Sequence, residues 1–85
     1  MKIPVAVRIG RKKYHIRSGV RMRGLTRGRV YPEAGLIEIA SADPYLFWHE
    51  LTHAILYEMG GDWRNEKFVI EFSKRLTHAV KTAEF

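Results

Sequence analysis

The chain has 85 residues, 46% of them hydrophobic, ten aromatics and no cysteine. This suits one small globular domain with a limited core and excludes disulfide stapling. Its net charge of +6 is unevenly divided: residues 1–32 carry ten Lys/Arg and no acid, whereas residues 33–85 carry five Lys/Arg against nine Asp/Glu.

The first forty residues read mainly as strands and a basic loop. From Lys2 to Ile9, the residues Ile3, Val5, Val7 and Ile9 alternate with others at the period of a half-buried strand. Gly10-Arg11-Lys12 suits a hairpin turn, and Lys13 to Arg17 continues with Tyr14 and Ile16 on one side and His15 and Arg17 on the other. Ser18 to Gly28 holds three glycines with arginines between them and reads as an irregular, mobile basic loop; its glycine spacing matches no phosphate-binding loop. Arg29-Val30-Tyr31 and Leu36 to Ala40 read as two more strands joined by Pro32-Glu33-Ala34-Gly35, a sound tight-turn sequence. An exposed edge at Leu36 to Ala40, presenting Ile37 and Ile39, is expected to accept an extended peptide by strand addition.

A helix is predicted over residues 43–60. Asp43 is its N-cap, Pro44 takes the first helical position and Gly60-Gly61 stops it. Mid-helix lies His49-Glu50-Leu51-Thr52-His53, an H-E-x-x-H sequence. Residues four apart sit one turn above each other on the same face, so the two imidazoles can reach one metal ion. Glu50, beside the first histidine, can then hold and deprotonate a water activated by that metal. The plainer alternative is a buried amphipathic helix whose histidines are merely hydrogen-bonded.

Asp62 is a candidate cap for a last helix over residues 62–81, with Val69, Phe72, Leu76 and Val80 at helical spacing toward the core and Lys74, Arg75 and Lys81 favourable to its dipole. Residues 82–85 are expected to fray. A catalytic zinc site takes three protein ligands and keeps a fourth position for water. Met59 stands where an extended motif would place a third histidine, so that ligand must come from the last helix. Glu66, in its first turns, is favoured because the chain folds back there toward the first helix; Glu71 and His78 stay open.

The motifs in Gly35–Ile39, His49–Leu56 and Asn65–Phe72 resemble those of minimal zincins of the gluzincin type. They are similar to short phage-type metallopeptidases and, more distantly, to ImmA/IrrE-type and minigluzincin proteins. Glu66 followed by Val69 and Phe72 fits the spacing of the ligand-bearing helix in the ImmA/IrrE-like pattern. The resemblance implies an α+β, zincin-like fold: a small antiparallel or mixed sheet of three to four strands, then the metal helix and a glutamate-bearing helix. It also implies a zinc cofactor and a peptide substrate aligned on the strand before the metal helix. Many gluzincins have an aspartate four residues after the ligand glutamate that orients the first histidine; this chain has Ile70 there.

The expected function is therefore that of a zinc metallopeptidase, with Zn2+ on His49, His53 and Glu66 and Glu50 as general base. Tyr31, Tyr57, His15 and His78 are candidate donors to the oxyanion. The competing reading is a metal-stabilised or catalytically latent zincin-fold module that engages nucleic acid or a partner protein through basic residues 2–29. Against that, the cations can simply occupy the solvent face of amphipathic strands. No apolar run approaches bilayer length and Met1-Lys2-Ile3-Pro4 has no signal pattern, so a cytoplasmic protein without a membrane partner is expected.

Overall fold

Six regular elements follow one another in the computed structural model, which describes residues 1–85: β1 (Ala6–Ile9), β2 (Lys12–Ser18), β3 (Gly28–Tyr31), β4 (Leu36–Ile39), α1 (Pro44–Glu58) and α2 (Glu66–Lys81). The fold is α+β. Its four-stranded sheet has the order β1-β2-β4-β3, with β2 and β4 parallel and the outer pairs antiparallel.

Local chemistry accounts for the connections. Ile9 pairs with Lys12, so the first hairpin closes on Gly10-Arg11 alone and Lys12 belongs to β2. Only Gly10 has a positive φ in that loop, the pattern of a type II′ turn. Regular pairing starts at Ala6 rather than Lys2: Pro4 lacks an N–H, and Val5 sits at a bend, 83% exposed. Residues 19–27 are irregular, as expected. Pro32 to Gly35 join β3 to β4 through hydrogen bonds from Ala34 N to Tyr31 O and from Gly35 N to Pro32 O.

The sheet order overturns one expectation. β4 is an interior strand, paired on both sides, and Ile37 and Ile39 are fully buried in the core. They are therefore not an edge that can receive a peptide. The free edges are β1 and β3. A hairpin returning from β3 could have been placed on either side, and β4 takes the inner place beside β2, where both faces of its backbone ladder are satisfied.

α1 lies across one face of the sheet. Phe47, Leu51 and Ala54 join Tyr14, Ile16, Ile37 and Ile39 in one core cluster. The Asp43 carboxylate accepts from Tyr45 N, and the other end closes as a Schellman motif, with Gly60 N donating to Tyr57 O and Gly61 N to Leu56 O. α2 then runs back along α1. Ser73 meets Thr52, and Thr77 and Val80 share a cleft with Pro44 and Trp48. Because α1 is sandwiched between sheet and α2, five successive residues, Glu50 to Ala54, are buried.

α2 differs from the expectation in two ways. It begins at Glu66, capped by Asn65, whose side chain accepts from Phe68 N; Asp62 instead opens a turn that ends at Asn65. Its buried stripe is Val69 and Ser73, with Leu76 and Thr77 half-buried beside them, whereas Phe72 and Val80 are 44% and 42% exposed. The stripe is narrow because α1 is the one element against which α2 packs extensively, and the small Ser73 allows close approach. No helix is long and apolar enough to cross a membrane.

Candidate metal centre

His49 and His53 rise from one side of α1 with their ring centroids 5.0 Å apart. Glu66, the first residue of α2, faces them. Its two carboxylate oxygens lie 3.4 Å from His49 Nε2 and 2.7 Å from His53 Nε2. One ligand atom from each of these three residues falls within 4.8 Å of the others, so the group could hold a metal ion. A four-coordinate ion with bonds near 2.05 Å separates its ligands by about 3.3 Å; the Glu66 oxygens, 2.7 and 3.4 Å from the two imidazole nitrogens, bracket that spacing, and two imidazoles with a carboxylate are a donor set that suits a divalent ion.

The outer nitrogens of both rings have partners. His53 Nδ1 lies 2.5 Å from the carbonyl oxygen of Trp63. A carbonyl only accepts, so Nδ1 carries a proton, and Nε2 is the nitrogen that would ligate an ion shared with Glu66. His49 Nδ1 lies 3.5 Å from the Tyr45 hydroxyl, whose ring stands edge-on to the imidazole. When Nε2 of His49 serves as a ligand, Nδ1 donates to the phenol oxygen and the phenol proton stays available to another acceptor. Burial, then the carboxylates of Glu66, Asp43 and Glu50, push the Tyr45 phenol up, so it keeps that proton. Burial lowers the His49 imidazole against the opposing pull of Glu66, with His53 lowering it further, and this favours the neutral ligand form.

Glu50 is 7% exposed. Burial pushes its carboxyl up to about 7; the neighbouring His53 opposes this and Glu66 adds to it. The side chain lies across Gly28 of β3, where an added Cβ would come within 2.6 Å of Glu50 Oε2. Only a residue without a side chain leaves that passage open. Gly28→Ala is expected to cost about 1–2 kcal/mol and to move the carboxylate. Adding Glu50→Ala should recover most of that loss. Urea unfolding of both single variants and the double variant measures the coupling; strictly additive costs would mean that Glu50 does not rest on residue 28.

Two shallow clefts meet at the cluster. One, of about 340 Å³, is lined by Thr26, Arg27, Tyr45 and Ile70 together with His49. The other, of about 250 Å³, is lined by Arg29, Val30, Trp63 and Arg64. Glu50, His53 and Glu66 line both.

Of the alternative ligands, Glu71 is exposed and pairs with Arg75 at 3.6 Å, and His78 is exposed near the far end of α2; neither joins the cluster. None of the four candidate oxyanion donors lines the two clefts. His15 is exposed on the sheet face away from the helices, Tyr57 stacks edge-on against Trp63, and Tyr31 lies on an adjoining surface. Tyr45 is the hydroxyl that sequence reasoning missed, although its position four residues before His49 on the same helix was a usable signal. Gly28 and the Trp63 carbonyl carried none, because each acts through a contact across the fold.

Comparison of the chain with protein-family models, with curated proteins and with solved structures returned no match.

Proposed function

We propose that this chain is a zinc-dependent peptidase, with His49, His53 and Glu66 holding the ion and Glu50 as general base. The observation that carries the reading is the arrival of Glu66 opposite both Nε2 atoms, with the buried Glu50 carboxylate lining the same clefts. Two imidazoles and one carboxylate are a donor set used by catalytic zinc, which leaves a coordination position for solvent. When bound, the ion supplies the Lewis acid that acidifies a water molecule and polarises a scissile carbonyl.

The remaining work falls to the chain's own groups. Glu50, with a carboxyl already pushed toward neutrality, accepts a proton from water in the cleft and returns it to the departing amine. The Trp63 carbonyl and the Tyr45 phenol hold the two imidazoles in the ligand tautomer. Tyr45, with its proton retained, is placed to donate to a developing oxyanion. β3 replaces the strand of Ile37 and Ile39 as the edge for an extended peptide: it is free on its outer side, and its residues Gly28 and Val30 line the clefts.

The test is to load the purified chain with zinc, measure the metal bound per chain, and follow cleavage of a mixture of fluorescence-quenched peptides. Cleavage that stops on chelation and returns with zinc is expected. One tightly held ion without cleavage of any peptide would overturn the peptidase reading and leave a metal-stabilised binding module.

A further inference from the structure

The chain's uneven charge resolves into two faces. Alternation along the strands sends Tyr14, Ile16, Ile37 and Ile39 to the helix-covered core, which leaves Arg8, Lys13, His15, Arg17, Arg29 and Tyr31 on the opposite face of the sheet, all exposed. Both helices lie on the core side, so no helix covers this face. The register arranges it in rows. Arg8 sits directly opposite Lys13. The next row is His15, Leu36 and Tyr31, and the third is Arg17, Glu38 and Arg29. Arg21 and Arg23, from the irregular loop, extend the third row by lining a cleft of about 250 Å³ with Arg29 and Tyr31.

Two features point to a polyanion. Like charges directly opposite on neighbouring strands are unfavourable, yet Arg8 and Lys13 face each other and neither pairs with an acid on this surface. The one carboxylate in these rows, Glu38, is occupied by Arg17 at 3.3 Å, which leaves Arg29 without an ion pair. From these observations we propose that this face binds single-stranded nucleic acid, with phosphates on the two cationic rows and bases stacked on Tyr31 and His15 between them. Residues 13 and 17 of one strand are about 13 Å apart, with residue 15 midway. Cation, ring and cation therefore recur at the alternation of phosphate and base along an extended strand. Tyr31 is the one exposed large hydrophobic in these rows, too little to anchor in a bilayer, and the open sheet offers no helix to a duplex groove.

Arg8, Lys13, His15 and Arg17 lie across the sheet from His49 and His53, whereas Arg29 and Tyr31, on the edge strand β3, also line clefts on the helix side; oligonucleotide binding is read on metal-free protein and apart from peptide cleavage, so this proposal and the peptidase reading fail separately. Fluorescence anisotropy with a labelled oligothymidine of about 15 nucleotides is expected to give saturable binding at low salt. With about four phosphates engaged, the log–log salt slope should be near −3. Combining Arg8→Gln, Lys13→Gln and Arg29→Gln should weaken binding at least about tenfold and flatten the slope by about 2. Tyr31→Ala should weaken it about tenfold with the slope unchanged. The combination Lys67→Gln, Lys74→Gln and Lys81→Gln removes equal charge from exposed sites on α2 and should leave affinity unchanged. Thermal unfolding of each variant confirms that it is folded. The proposal is overturned by absence of binding at low salt, by equal weakening in the α2 combination, or by duplex DNA or heparin binding as tightly as the oligothymidine with Tyr31→Ala without effect.

Discussion

Glu50→Gln is expected to keep one metal ion per chain and to lose peptide cleavage by about 10²–10⁴-fold, the range for removal of a general base. The same substitution should stabilise the metal-free protein at neutral and alkaline pH. Burial raises the folded carboxyl from its ordinary 4.5 to about 7. Between those values the folded chain holds a proton that the unfolded chain has released, so the folded state binds more protons and stability falls as pH rises through the window. Above pH 7 the buried carboxylate is fully charged, at a cost of up to about 3 kcal/mol. Glutamine carries no charge and escapes that cost. Melting temperatures of metal-free parent and E50Q should therefore coincide below pH 4.5 and diverge by pH 8, with the variant higher. Bound zinc should narrow the gap, because the ion's positive charge compensates the carboxylate. A parent that cleaves no faster than E50Q would remove Glu50 from the chemistry. Parallel melting curves across pH would mean that its carboxylate is solvated.

His53→Ala is expected to abolish stoichiometric metal binding and the stability that comes with it. His53 is 7% exposed, and its Nε2 lies closest to Glu66. Removing it should weaken the metal by more than the roughly 10–100-fold that loss of an outer hydrogen-bond partner costs. At a free metal concentration about a thousand times its dissociation constant, the parent gains about 4 kcal/mol, a large share of what a domain of this size holds. The ring also ties the segment before α2 to α1 through the Trp63 carbonyl, so the metal-free variant should melt lower than the metal-free parent. Calorimetric titration with zinc and melting with and without chelator measure both effects. A variant still stabilised by zinc to the parent's extent would place the ion elsewhere.

Several parts of this fold were legible in the residues because their causes are local. Asp43-Pro44 and Gly60-Gly61 bound α1 through hydrogen bonds that span at most five residues, and the four-residue turn from Pro32 to Gly35 closes on itself. The spacing of His49 and His53 follows from helical pitch alone. Where two local signals competed, the reading slipped. Asp62 and Asn65 both have capping chemistry; Asp62 is taken up by the turn whose Trp63 carbonyl meets His53, and Asn65 caps the helix. Phe72 and Val80 satisfy helical periodicity, yet the face of α2 that meets α1 is chosen by how closely Ser73 approaches Thr52.

The residues by themselves pointed to a mixed α+β domain, to a helix with two imidazoles on one face, and to Glu66 as their favoured partner, because these rest on periodicity and on a short turn between consecutive helices. The tertiary structure alone decided that β4 lies inside the sheet, that Gly28 makes room for Glu50, that the Trp63 carbonyl meets His53, and that Arg8, Lys13 and Arg17 share the sheet face without helices. Strand order and register are pairings between distant segments, and a linear pattern of side chains is compatible with more than one of them until the whole core is packed.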